Sequence, residues 1–239
     1  MKGGLHEIWV YLSTTPLLGL TMTLCAYLLG YYLYRTCRFN PLANPVLIAV
    51  LVLVSLLLAS DTPYSRYFEG AQFVHFMLGP ATVALAVPLY RQFHHVRRSA
   101  TAVAVALAVG SITAVLSAVG IAWLLGASRE TLLSLAPKSV TTPVAMGIAE
   151  QIGGLPSLTA VLVILSGITG AVLGTYTLNL VRVKDWRARG IAMGVASHGI
   201  GTARAFTVNE VAGAFSSLAM GLNALATAVL VPVLIALLT

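Results

Sequence analysis

Charge is what this sequence has least of. Asp, Glu, Lys and Arg make up 9% of its 239 residues, while hydrophobic residues make up 58%. A soluble domain carries about 25% charged residues. So little charge cannot cover a surface facing water, so the solvent for most of this surface is lipid. Cysteine is almost missing too: Cys25 and Cys37 are the two present, with no CxxC and no Cys/His spacing. That excludes a disulfide framework and a zinc site, and no metal is expected. Also lacking are GxSxG, a Walker motif and HExxH. No catalytic residue and no cofactor are therefore expected, and the chain does not read as an enzyme. The first apolar stretch, residues 5–34, lacks a short apolar core ending in a small-residue cleavage site, so it reads as a retained helix rather than a signal peptide. Lys and Arg number 14 against 7 Asp and Glu. The cations sit in short clusters between apolar runs, so they read as topology signals and not as a nucleic-acid surface.

What is present is a series of apolar segments near the length of about 20 residues that crosses a bilayer. They cover residues 5–34, 45–59, 71–90, 100–126, 131–151, 158–180, 190–207 and 211–238. Basic joints follow at 35–38, 91–98 and 182–189. The fold class is an all-α polytopic membrane protein of about seven to eight transmembrane segments. If every segment crosses, the third basic joint falls opposite the first two. The conflict disappears if residues 131–151, with Lys138, Pro143 and Glu150, are re-entrant. That leaves seven crossings, with the N-terminus outside and the C-terminus inside. Thr14-Thr15-Pro16 recurs as Thr141-Thr142-Pro143, and Gly79-Pro80 and Gly199-Ile-Gly201 each interrupt an apolar segment. Residues 1–239 thus read as a single domain of two repeats, about 5–126 and 131–238, whose broken helices meet near the bilayer midplane.

Broken backbone inside lipid is tolerated only within protein or beside a watery cavity. A half-helix N-terminus there offers free N–H groups and partial positive charge to an anion. Pro80 and Thr82 fit this chemistry, and a plain proline kink is the bland alternative. In residues 197–204 the glycines Gly199 and Gly201 permit unwinding, and Thr202 adds a hydroxyl. Arg204 is a candidate carboxylate anchor; the alternatives are an arginine snorkelling to the interface or an ion pair with Glu210. His198 is a candidate proton carrier, or a hydrogen-bonding structural residue. Lys138, Ser139, Thr141 and Thr142 lie between Pro137 and Pro143, either lining a substrate path or forming a surface loop. Glu150 reads as a proton acceptor or an interfacial charge, and Asn223 as a ligand group or interhelical glue.

These clusters resemble the LrgB/CidB membrane-protein family. The matching stretches are Arg66-Tyr-Phe-Glu-Gly-Ala-Gln72, Leu78-Gly-Pro-Ala-Thr-Val-Ala-Leu-Ala-Val-Pro-Leu89, Leu135-Ala-Pro-Lys-Ser-Val-Thr-Thr-Pro-Val-Ala-Met146, Ala196-Ser-His-Gly-Ile-Gly-Thr-Ala-Arg-Ala205 and Gly213-Ala-Phe-Ser-Ser-Leu-Ala-Met-Gly-Leu-Asn223. At 207–209 the sequence departs from a Glu-rich stretch of the family, which leaves Glu210 without a family role. The resemblance implies crossed broken helices like those of cation:proton antiporters and bile-acid symporters. It implies two functions for comparison. One is a secondary transporter of small monocarboxylates such as glycolate, glycerate or pyruvate across the bacterial inner membrane. Arg204 would then hold the carboxylate, aided by helix N-termini near Thr82 and Gly201 and by Thr141, Thr142 and Asn223. Glu150, His198 or Glu210 would couple a proton or sodium ion. The other is an antiholin-like regulator of murein hydrolase export and lysis, paired with a small LrgA/CidA-type holin-like partner. Small residues around Gly110 and Gly120 permit close helix packing, within one chain or in a homo-oligomer.

Overall fold

The computed structural model describes residues 16–77, 80, 83–84, 87, 90 and 93–238, and among these the secondary structure is entirely helical. Four helical stretches are long and apolar enough to cross a membrane: Leu17–Thr36, Ala100–Leu124, Pro156–Leu180 and Glu210–Ala236. Their large side chains face outward along much of their length, with Leu116 50% and Leu165 55% exposed. Burying apolar area removes it from water at roughly 25 cal/mol per Å². Faces this apolar are therefore lipid faces. Packing divides the chain into two units, residues 1–84 and 85–239.

In the first unit, α1 (Pro16–Thr36) packs on α2 (Pro45–Ala59) and α3 (Tyr64–Phe76). Asn44 starts α2 by accepting the N–H groups of Val46 and Leu47, with Pro45 in the first helical turn. Gly30 permits the close approach: a Cβ there would press on the Pro45 backbone. Thr23 and Tyr67 share a hydroxyl–hydroxyl hydrogen bond of 2.7 Å between α1 and α3. Pro80 is helical and exposed, whereas Thr82 and the Thr14-Thr15 pair lie outside the described residues.

The second unit holds α4 (Phe93–Arg98), α5 (Ala100–Leu124), α6 (Arg129–Leu135), α7 (Thr142–Ile152), α8 (Pro156–Leu180), α9 (Trp186–Val208) and α10 (Glu210–Leu238). Helix α7, with 11 residues, is about 16 Å long at 1.5 Å per residue, roughly half a bilayer core. It forms a hairpin with the chain before it. Ser134 Oγ accepts the Leu155 N–H at 2.8 Å, and the Ser134 carbonyl accepts the Thr159 hydroxyl at 2.9 Å. Four residues on, the Lys138 carbonyl accepts the Ser166 hydroxyl at 3.0 Å. Residues 134–138 therefore advance alongside α8. Helix α7 then returns to Gly153, whose φ of 84° closes it.

Residues 190–207, expected to cross as one segment, double back within the helix. Helix α9 turns back on itself at His198, where φ is 38° and ψ −133°. Before the turn, Gly190 lies against the Ala212 carbonyl and Gly194 against the Ser216 carbonyl. After it, Thr202 Oγ1 lies 2.8 Å from Ser216 Oγ, and the Phe206 ring covers Gly213. Residues 190 and 206 thus meet the same turns of α10, although a straight helix would separate them by about 24 Å. The first limb runs parallel to α10 and the second antiparallel. Both ends of α9 are at one end of the unit, and α10 carries the C-terminus to the other. The C-terminus and the 182–189 joint are therefore at opposite ends, not at the same end as expected. The physical reason is that sequence hydropathy measures length and apolarity but not a reversal at one residue.

Against α8, Gly174 meets Met193, Gly170 meets Ser197 and Gly167 meets His198. The unit thus contains two successive blocks, each a hairpin followed by a long helix: residues 129–180 and 186–238. Their hairpins enter from opposite ends. The cores flank the meeting level: Val140, Ala145, Ile148, Val163 and Val231 on one side, and Val103, Leu107, Val195, Phe215 and Ala219 on the other.

Candidate functional site

The two hairpin tips reach the same level of α8. His198 Nε2 lies 2.9 Å from the Val163 carbonyl, one turn from Ser166, which holds the other tip. Asn223 of α10 sits between them. Its Nδ2 donates to the Ser139 carbonyl at 2.9 Å and to the Val195 carbonyl at 3.5 Å. Its Oδ1 accepts the hydroxyl of Ser111 on α5. One fully buried amide therefore links the first tip, the first limb of α9 and two long helices. A lipid-embedded amide left unpaired costs several kcal/mol, so these contacts fix the register of four elements.

The reversal itself falls on His198 rather than on Gly199 or Gly201. A non-glycine residue at this φ carries backbone strain of order 1–3 kcal/mol, sustained here by the imidazole bond to α8 and by dense packing. Thr202 stabilises the return limb, its hydroxyl donating to the His198 carbonyl at 2.8 Å and pairing with Ser216. Gly201 is needed for closeness, since a Cβ there would overlap Ser197. The Ser197 hydroxyl is buried and has no hydrogen-bond partner among the described residues.

The first tip contributes Lys138, Ser139, Thr141 and Thr142. Ser139 is buried; Lys138 and the two threonines are partly so. Lys138 Nζ donates to Ser139 Oγ at 3.3 Å. Thr141 is the N-cap of α7 but makes no side-chain cap hydrogen bond, and Pro143 stands in the first turn.

Other expected site residues lie elsewhere. Arg204 is half-buried on the returning limb. Its Nη1 donates to Thr207 Oγ1 at 3.4 Å. At 100° per residue it points away from the face that carries Thr202. Glu150 is exposed near the end of α7, and Glu210 is exposed at the start of α10. Ser111, Ser166, Ser197 and Ser216 were not singled out from the sequence. Their signal was available: isolated hydroxyls inside apolar helices serve as interhelical donors.

The basic end of this unit is separately organised. Asp185 caps α9, accepting the N–H groups of Arg187 and Ala188. Arg187 also pairs with the carboxylate at 2.7 Å and reaches Ser99 Oγ at 3.2 Å. The hydrogen-bonded Arg187 guanidinium pulls the Asp185 carboxyl down to about 2. Between α5 and the first limb of α9 runs an apolar groove of about 720 Å³, walled by Ala106, Gly110, Ala192 and Val195.

Among known proteins, the family described as LrgB-like matches residues 23–237. Uncharacterized protein YwbG of Bacillus subtilis is 39% identical over 220 residues, covering 92% of this chain and 97% of that protein. Holin-like protein CidB of Staphylococcus epidermidis is 32% identical over 228 residues, 94% of this chain and 97% of its own. Antiholin-like protein LrgB of Bacillus cereus is 31% identical over 220 residues, 92% and 96% respectively. No solved structure matches.

Proposed function

The chain belongs to the LrgB-like family, and from that premise we propose that it is a holin-like or antiholin-like protein of the bacterial inner membrane. Its role would be to modulate murein hydrolase export and lysis together with a small LrgA/CidA-type membrane partner. The observation that carries this reading is likeness to the holin-like and antiholin-like relatives along nearly the whole of this chain and of theirs. The test is co-expression with such a partner in a bacterial host, scoring culture lysis and extracellular murein hydrolase activity by zymography. Expression should shift both relative to the partner alone. Identical lysis curves and zymograms would overturn the reading.

A second reading, secondary transport of a small monocarboxylate, is favoured by one feature that lysis control does not require: polar residues gathered where two opposed hairpins meet. Transporters commonly hold substrate near the midplane between inverted, broken helices. In this reading Lys138, Ser139, Thr141, Thr142, Gly199, Gly201, Thr202 and Asn223 surround the route. Arg204 meets the carboxylate on its way from the basic end, and His198, Glu150 or Glu210 carries the coupling proton or sodium ion. The finer architecture of two repeats with crossed broken helices belongs to the same proposal. Uptake of labelled glycolate into proteoliposomes tests it; no uptake by the wild type would sink it.

A further inference from the structure

The groove between α5 and the first limb of α9 has two unlike ends. Along α5 its lining runs from Ser99 to Ala114, about 22 Å at 1.5 Å per residue. Beyond its mouth Thr113 is the one polar side chain in the lining, and Phe215 forms part of the apolar wall. Val109 on its rim is 59% exposed, so its outer side faces the bilayer. An apolar channel at this depth holds hydrocarbon and not water. Its width says which kind. A volume of about 720 Å³ spread over about 22 Å leaves a cross-section of about 33 Å², whereas a helix with its side chains, about 10–12 Å across, needs at least about 80 Å². The groove therefore suits an extended acyl chain better than a transmembrane helix. The mouth is charged. Arg187 Nη1 donates to Ser99 Oγ at 3.2 Å, and this bond ties the basic joint before α5 to the basic joint before α9. Arg97, Arg98, Arg182 and Lys184 are exposed there. Against them stand Asp185, already paired with Arg187, and Glu210 at the start of α10. Trp186, 40% exposed, stands at the same end, as tryptophans do at headgroup level.

We infer that this groove is a binding site for one anionic glycerophospholipid, its hydrocarbon lying between α5 and α9 and its phosphate held at the basic mouth. Charge complementarity selects the headgroup, because cations outnumber carboxylates at the mouth and basic pockets between membrane helices on the cytoplasmic side suit anionic lipids. Arg187 is committed to Asp185 and Ser99, so it frames the mouth, while Arg97 and Arg98 supply charge to the phosphate. The site is independent of both functional readings above.

Native mass spectrometry of the purified full-length protein, titrated in detergent with dioleoyl phosphatidylglycerol or dioleoyl phosphatidylcholine, tests the site. Wild type should retain one phosphatidylglycerol at least about tenfold more tightly than phosphatidylcholine. Replacing Arg97 and Arg98 together by Gln should cut that preference by about fivefold for each charge removed. Ala106→Leu fills the groove and should weaken retention of both lipids. Ala104→Leu places the same side chain on an exposed face of α5 outside the groove, and should leave retention and melting temperature as in the wild type. Arg129→Gln, exposed at the other end of the unit, should likewise change nothing. Equal retention of the two lipids by the wild type, or undiminished retention by Ala106→Leu, overturns the site. So does a lipid-free dimer that Ala106→Leu dissociates, which would give the groove to a second copy of the chain.

Discussion

At the residue scale, His198 and Asn223 do the most to fix the centre of the second unit, and they do it differently. His198 holds a strained backbone by one bond to α8. His198→Ala loses the bond and keeps the strain, whereas His198→Gly loses the bond but relaxes the strain. Thermal unfolding in detergent should therefore rank His198→Ala as the less stable variant, by about 1 kcal/mol; the reverse order would refute this account of the turn. Asn223 ties α10 to three other elements, so Asn223→Ala leaves the Ser139 carbonyl and the Ser111 hydroxyl short of a partner. That change should cost about 2 kcal/mol by the same measurement. Asp185 offers a pH test outside the membrane-spanning segments. Its carboxyl is depressed from 3.8 to about 2, so the stabilisation it gives is complete above about pH 4 and is lost as pH falls towards 2. Asp185→Asn retains a capping side chain and should flatten the fall in melting temperature across that window.

At the scale of elements, the second unit is assembled by glycines that let helices touch. Gly194 lies on the Ser216 carbonyl, and a side chain there has nowhere to go because the obstacle is backbone. Gly194→Val should detach the first limb of α9 from α10 and leave a protein that aggregates on size-exclusion chromatography. Gly147, in the interior of α7, meets nothing within 4 Å. Gly147→Ala should be neutral or stabilising, by up to about 1 kcal/mol. The contrast checks that close approach, and not glycine content, is what the packing needs. The glycines at 199 and 201 were legible in the sequence as a break. The residue that turns was not, because a histidine at positive φ is chosen by its contact with Val163, 35 positions away.

At the scale of the whole molecule, the fold-back of α9 makes a topological prediction. In a background with exposed Cys25 and Cys37 replaced by serine, Lys184→Cys and Glu210→Cys should react with an impermeant maleimide from one face of inverted membrane vesicles. Ser128→Cys should react from the other. Labelling of positions 184 and 210 from opposite faces would mean that α9 crosses. The positive-inside rule predicts that the face shared by 184 and 210 is the cytoplasmic one.

What the sequence determined by itself is the solvent and the inventory. Nine per cent charge and long apolar runs admit lipid and little else, five ordered motifs point to one family, and the polar residues at apparent membrane depth are countable in the linear chain. Tertiary structure alone decided how those polar residues are distributed. It gathered Lys138, Ser139, His198, Thr202 and Asn223 at one level, set Arg204 off that face, left Glu150 and Glu210 exposed, and turned a segment long enough to cross into a hairpin. The reason is one of range. Transfer into lipid depends on each residue's own composition and is additive along the chain. A reversal or a buried amide bond is stable only when groups dozens of positions apart supply its partners.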